Sequence, residues 1–466
     1  MSKPAAQFQR DASEATADSR QRRFIRSSLA GYKQVRASTT AKFSDYESAR
    51  TAAAEIKWQA IEHLDELLQQ FADNLEARGV TVHWCASGKD ACDAILGVLR
   101  KHSARSIVKS KCMTTEEIHL NDLLEKEGYE VVESDLGEFI VQLRKEVPYH
   151  FVFPAMHLKR DAISHVFHDQ LGSEETGDPE RLTMIAREAL RRKYLEADVG
   201  ISGANFGVAE TGMISITENE GNARLTTALP KVHICVMGIE KVIPRLEDLA
   251  LLLPMLATAG TGQQLTAYNS MIGGPRQSGE CDGPEEMHVL LLDNHRTRLL
   301  ADAEQRDALR CIRCGACLNV CPIFKNVGGH AYGTTYQGPI GSVITPHLRG
   351  LKSWKHLSQA SSLCGACTET CPVKIDLHHH LLRNRRNAAL AGYGGIFERL
   401  LMKGFVFAMR RAWVYGIAVK MGRLLDRMTR PIHGTALDPL KSWRATRDLP
   451  APAKQTFKEY WRSRQP

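Results

Sequence analysis

The sequence predicts an α/β domain built on a parallel sheet, followed by an α-helical, cysteine-rich domain and a basic helical tail. Three observations carry this. Short apolar runs alternate with amphipathic helical patterns between residues 80 and 300, and seven of the twelve cysteines fall in two runs after residue 310. The third is charge: the net +8 of the chain is concentrated in its last seventy residues. At 466 residues the chain is too long for one small domain. A composition of 43% hydrophobic and 24% charged residues, with no low-complexity tract, is that of a protein with an ordinary buried core.

Residues 1–40 read as a polar, loosely ordered segment. They lack the apolar run of a secretory signal, and Asp11, Glu14 and Asp18 count against a transit peptide. Ile61, Leu64, Leu68, Phe71 and Leu75 recur at spacings of three and four, so 45–78 reads as one amphipathic helix ended by Gly79. From there "VTVHWCA", "RSIVKSK" and "YEVVESD" read as strands separated by the helical stretches "KDACDAILGVLRKH" and "TTEEIHLNDLLEKEG". After the helix "DPERLTMIAREALRRKYLEA" come the strands "VGISGA", "GMISITE", "KVHICVMG" and "MHVLLLD". Strands alternating with helices argue for a parallel sheet covered on both faces, here one domain over 41–300.

The next segment carries the strongest signal. "CIRCGACLNVCP" sets Cys311, Cys314, Cys317 and Cys321 at the C-x2-C-x2-C-x3-C-P spacing by which bacterial ferredoxins hold cubane iron–sulfur clusters. Three cysteines at intervals of three wrap one cubane from a tight turn, and the fourth reaches the neighbouring cluster. Gly315 lets the backbone bend close to the sulfides. "CGACTETCP" is a second copy with Cys364, Cys367 and Cys371, and Ser361 stands where its first cysteine belongs. Exchange of the fourth cysteines gives Cys311, Cys314, Cys317 and Cys371 for one [4Fe-4S] cluster, and Cys321, Cys364 and Cys367 for a second with three thiolates. The open iron could take the Ser361 oxygen, a solvent or substrate atom, or be lost on oxidation to leave [3Fe-4S]. His378, His379 and His380 lie nearby in sequence but read as a polar helix face. Zinc also binds CxxC pairs, but usually through four ligands in two pairs, which seven cysteines with two Cys-Pro endings fit poorly. The remaining Cys85, Cys92, Cys112, Cys235 and Cys281 have no ligand spacing and read as small buried hydrophobes.

With "LRCIRCGACLNVCPIF", "GGHAYGTTYQGPIGSVITP" and "LCGACTETCPVKIDL" in this order, the chain resembles the lactate utilisation protein B family. "KSKCMTTEEIHLN" and "GISGANFGVAETGMISITENEGNARLTTALPKVHI" resemble its LUD domain, a fold similar to the sugar-phosphate isomerase and CoA-transferase class. The resemblance implies an iron–sulfur electron-transfer subunit, itself non-catalytic, in the oxidation of L-lactate to pyruvate. It implies the same seven cysteine ligands and two partners, a Cys-rich heterodisulfide-reductase-like protein and a small LUD protein. It also makes the three-cysteine second cluster a family trait.

In the LUD stretch, the glycines of "GANFGVAETG" (203–212) could present backbone N–H groups to an anion, with Lys109, Lys111 and Arg224 as charge partners. Glu210 is a candidate nucleophile of the CoA-transferase kind. Neither this stretch nor "GTGQQ" matches a dinucleotide or phosphate-loop fingerprint, so flavin or nicotinamide chemistry belongs to another subunit. A different reading, an enzyme acting on an organic acid or CoA ester with clusters in a structural or sensing role, stays open at this point.

Residues 301–388 form the cluster domain in this scheme, and 389–466 the tail. From residue 397 onward fifteen Lys/Arg face five Asp/Glu, a net +10, which leaves −2 for the rest of the chain. The basicity is therefore local, and a nucleic-acid role has no support. No apolar run reaches the length of a spanning helix. Phe397, Leu401, Phe405, Ala408 and Ala412 share one helical face opposite Arg399, Lys403 and Arg410. Such a helix can dock on a partner, pack back on the cluster domain, or lie on an anionic membrane. The expectation is a cytoplasmic protein with a peripheral contact at the inner membrane face.

Overall fold

The computed structural model describes residues 2–464 apart from 439, 445, 446, 448 and 449. Its strands are β1 (Thr81–Cys85), β2 (Ser106–Lys109), β3 (Glu130–Glu133), β4 (Val199–Ser202) and β5 (Phe206–Val208), then β6 (Met213–Glu218), β7 (Val232–Gly238), β8 (Val242–Ile243), β9 (Tyr268–Ile272) and β10 (Glu286–Leu292). Six of them form a parallel sheet in the order β1-β10-β7-β4-β2-β3. Every residue of β7 is buried, as its unbroken apolar run requires of a strand covered on both faces. Gly200 in β4 is there for space: a Cβ on it would come within 1.9 Å of the Thr226 carbonyl on the helix Asn222–Ala228.

The sequence pattern misses a second sheet, β8-β5-β6-β9. "GMISITE" lies here as β6, antiparallel to β5 and β9, rather than in the parallel sheet. β5 and β8 span only three and two residues, too short to leave a periodic signature. The helix expected over 45–78 is two, Tyr46–Glu62 and Leu64–Glu76, broken at His63. The break serves two cores: Ala53 and Ile61 pack toward the cysteine motifs, and Leu64, Leu68, Phe71 and Leu75 pack beneath the sheets. "TTEEIHLNDLLEKEG" is likewise divided, at His119 with φ 55°.

The larger departure is at the N-terminus. Residues 1–40, expected to be loose, form the helices Lys3–Ala17 and Ser19–Thr40, capped by Ser2 and Asp18. The first packs on Phe324–Val327 and Leu351–Gln359. The second buries Ile25 and Leu29 in the core that surrounds the cysteines. Their polar composition hid this, because only a narrow stripe of each helix is covered.

The chain divides into two compact units, Met1–Ala388 and Ala389–Pro466. The second contains the helices Ile396–Met409 and Ala412–Thr429, neither of which buries a residue. No helix among the described residues is long and apolar enough to cross a membrane.

Candidate iron–sulfur site and the cavity beside it

The two cysteine runs fold as two copies of one backbone. Arg313 and Leu363, each preceding a CGAC sequence, have φ of 59° and 55°, and Gly315 and Gly365 follow at 76° and 81°. Each copy then makes one short helix, Ala316–Val320 or Ala366–Thr370, and the two helices pack together. At Gly315 a Cβ would meet Val152 at 2.8 Å and His150 at 3.0 Å, so the turn is tightened against the segment after residue 147.

This packing brings thiols of the two motifs together. Cys314 stands in the field of Cys371 and Cys311, and Cys317 in that of Cys314 and Cys311 and, to a smaller extent, of Cys367. Cys367 instead feels Cys321 and Cys364. Burial pushes the Cys314 and Cys367 thiols up to about 12 and Cys371 up to about 11, since a lone thiolate in these places is poorly solvated. Backbone N–H groups answer that cost: Arg313 donates to Cys311 Sγ and Ile375 to Cys371 Sγ, each over 3.4 Å. Clustered, buried thiols with amide donors suit bound irons, which deprotonate the sulfurs and take up their charge. Seven thiols brought together from two runs do not suit one zinc ion. Six of the seven are buried, while Cys364 is exposed, so the second run reaches the surface.

Several residues around the motifs gave no sequence signal. Arg50 donates to the Cys371 carbonyl over 2.8 Å, and Arg36 to the Thr370 carbonyl over 2.8 Å. His150, buried and held neutral with its pKa down to about 3 by desolvation, links its ring to Asn319 over 3.0 Å. Nothing short of the fold places these groups together. Of the three adjacent histidines, His380 is buried, with its Nε2 2.6 Å from an Asp307 carboxylate oxygen. His378 reaches Thr368, beside Cys367, over 2.8 Å, and His379 pairs with Asp376. His378 and His379 keep to the polar side expected of this helix, but His380 falls on its covered face with Leu377, Leu381, Asn384 and Ala388. Of the other cysteines four are buried as expected, but Cys281 is exposed.

The candidates in the LUD stretch separate. Lys109 is buried between Glu133 at 2.7 Å and Glu116 at 3.3 Å, a structural ion group. Arg224 is exposed and lies over the Tyr268 ring. Glu210 is exposed and accepts from the Leu246 N–H over 2.8 Å, with no nucleophilic setting. Gly207 and Gly212 serve close packing, since Cβ atoms there would meet Phe71 and Asn74 at 2.8 Å. Only Lys111 and 203–205 face a cavity, of about 350 Å³, whose wall also includes Lys241, Arg313 and Cys314.

A buried ion network joins the sheet to the first motif. Arg296 donates to Glu117 over 2.8 Å and to Glu240 over 2.5 Å, and Arg313 donates to the second oxygen of Glu240 over 3.0 Å. Tyr336, from the segment between the motifs, donates to Glu117 over 2.6 Å. Burial opposes both carboxylate charges, but the arginines outweigh it and hold Glu240 down to about 2.

Comparison with known proteins agrees with this arrangement. Family models match a LUD domain over residues 68–292, a 4Fe-4S dicluster domain over 307–375, and the C-terminal region of lactate utilisation protein B over 378–466. Lactate utilization protein B of Bacillus velezensis is 43% identical, covering 95% of this chain and 94% of its own. The chain belongs to the lactate utilization protein B family. The family's protein from Shouchella clausii is 42% identical over 99% of this chain and 97% of its own, and that of Bacillus subtilis 42% over 95% and 94%. In family terms the chain is a LUD α/β domain, a 4Fe-4S dicluster domain and the helical C-terminal region. A crystal structure of a DUF162 family protein from Deinococcus radiodurans aligns with 49% of this chain and 98% of its own, at 16% identity and a TM-score of 0.29. That likeness is too distant to carry an argument.

Proposed function

We propose that this chain is the iron–sulfur electron carrier of a system that oxidises L-lactate to pyruvate. Cys311, Cys314, Cys317 and Cys371 hold one [4Fe-4S] cluster, and Cys321, Cys364 and Cys367 a second. The observation that supports the reading is the mixing of thiols across the two motifs, with Cys314 in the field of Cys371 and Cys367 in that of Cys321. Bound clusters supply one-electron transfer at potentials set by hydrogen bonds and exposure. The buried group is insulated, and the group that includes exposed Cys364 offers an edge at which electrons enter or leave. Hydride or electron-pair removal from lactate falls to the other two subunits, a Cys-rich heterodisulfide-reductase-like protein and a small LUD protein.

The C-terminal unit is the docking element in this reading. Phe397, Leu400, Leu401 and Phe405 are exposed on the helix Ile396–Met409, beside a large excess of Lys and Arg. Exposed apolar patches of this kind mark interaction sites, and an electron carrier must bring its clusters close to donor and acceptor. The chain works in the cytoplasm, and a peripheral membrane contact is the alternative use of the same surface.

The test is anaerobic. Chain purified with both clusters is mixed with L-lactate, alone and with the two partner proteins, while cluster reduction is followed by EPR. Reduction only with the partners supports the carrier role. Reduction by lactate alone would show that this chain is itself the dehydrogenase.

A further inference from the structure

The cavity beside Cys314 sits at a position with meaning in α/β sheets. From β2 the chain moves outward to β3, but from β4 it moves the other way, to β7 and then β10. The order of connection therefore reverses between β2 and β4. Ligands of open α/β sheets bind at the carboxyl ends of the strands where this reversal opens a crevice. Ser110 and Lys111 follow directly on β2, Gly203 and Ala204 directly on β4, and all four line the cavity.

The cavity wall is chemically divided. Lys241 and Arg313 lie close enough to feel one another and Cys311. Lys241 is buried in the field of Glu240 as well as Arg313, and among the described residues its side chain makes no hydrogen bond or ion pair. Arg313 uses one terminal nitrogen on Glu240, while its buried Nη1 has no hydrogen-bond partner. Two buried cationic groups with unused donors are costly without an anion to receive them. The wall also carries Asp135, Glu218 and Glu220, which lie in one another's field, with Lys111 beside Glu220. A polyphosphate would be repelled by that wall, but a small monoanion with a polar end suits it.

We infer that this cavity binds a small organic-acid anion, its carboxylate held by Lys241 and Arg313 and its polar end directed to the acidic wall. Resting on the assignment of Cys314 as a cluster ligand, the inference gives the LUD domain a purpose in an electron carrier. A ligand here lies against the first cluster, so its binding changes that cluster's surroundings and couples occupancy to electron transfer.

The test uses the anaerobically prepared full chain, with iron and sulfide measured in each sample. L-Lactate, pyruvate and inorganic phosphate are titrated by calorimetry, and the first cluster is followed by EPR. The expected result is saturable binding of lactate or pyruvate, one per chain, with displaced g-values for the first cluster and far weaker binding of phosphate. Loss of a charge-assisted hydrogen bond should weaken binding about tenfold to a hundredfold in Lys241→Met and in Arg313→Gln. Lys101→Met removes an exposed lysine that pairs with Glu286 outside the cavity lining, and should leave the affinity unchanged. Absence of saturable carboxylate binding to cluster-loaded chain overturns the inference and leaves the carrier role standing. So does equal binding of phosphate, or an affinity untouched by Lys241→Met. Carboxylate binding to a chain that proves to hold no iron supports the cavity and refutes the carrier role instead.

Discussion

Ser361 stands in the second motif where Cys311 stands in the first. Its Oγ accepts from the Leu363 N–H over 3.1 Å, as Cys311 Sγ accepts from the Arg313 N–H over 3.4 Å. The backbone that presents a sulfur in one copy thus presents a hydroxyl in the other. On the ligand assignment proposed here, Ser361 is the residue nearest to the role of fourth ligand.

Oxygen is a more labile ligand than thiolate at this iron, so mild oxidation should convert only the Cys321/Cys364/Cys367 cluster to a three-iron form, visible by EPR. Ser361→Cys should suppress the conversion and lower that cluster's reduction potential, because an added anionic ligand disfavours a further electron. Oxidation unchanged from wild type would place the missing ligand elsewhere, with His378 the first candidate.

Cys371→Ala tests the exchange between motifs. Cys371 lies in the field of Cys311, so its loss should damage the cluster of the first motif, more than fifty residues away in sequence. EPR on reduced, anaerobically reconstituted variant reads this directly. Damage confined to the Cys321/Cys364/Cys367 cluster would show that each motif holds its own.

Arg296→Met should destabilise the chain by about 3–5 kcal/mol, since it leaves Glu117 and Glu240 buried with reduced compensation. The fall should appear in denaturant unfolding and should be accompanied by weaker iron retention, because Glu240 also orients Arg313 between two cysteines. A loss below about 1 kcal/mol would mean that Arg313 and Tyr336 suffice to hold the carboxylates.

His233 lends the fold a pH dependence. Desolvation in β7 pushes its pKa down to about 3, and its ring is bonded to Ser202 over 2.7 Å. A group whose native pKa is depressed while it is neutral leaves the unfolded chain to bind the proton first. Its contribution is therefore complete above the ordinary histidine value near 6.5 and is lost as pH falls toward 3. Between pH 7 and 5.5 it should account for about 1 kcal/mol of lost stability. Anaerobic unfolding of His233→Gln should show a correspondingly flatter pH profile, and an unchanged profile would assign the acid sensitivity to other groups.

The tail gives a growth phenotype. Residues 389–466 form their own contact unit, so deleting 396–466 should leave iron and sulfide content intact while abolishing lactate-dependent growth. Cluster loss on deletion would make the tail a structural part of the cluster domain.

The sequence by itself determined what depends on local spacing. The cysteine intervals, the Ser361 substitution and the six strands of the parallel sheet are written in periodicity and motif, and the structure carries all six strands. The basic tail is likewise a count along the chain. What only the tertiary structure decided depends on groups brought from far apart. The polar N-terminal forty residues are helices because Ile25 and Leu29 find a core around the cysteines, a gain that composition cannot register. The small second sheet exists through pairings of strands as short as two residues, where local propensity is negligible beside the ladder and its burial. The cavity shares this origin: Lys241 and Arg313 are each ordinary in sequence, and come together on one wall only when the sheet closes against the first motif. Spacing along the chain fixes which atoms can share a metal, whereas burial, which sets the energy of a charge, is a property of the folded whole.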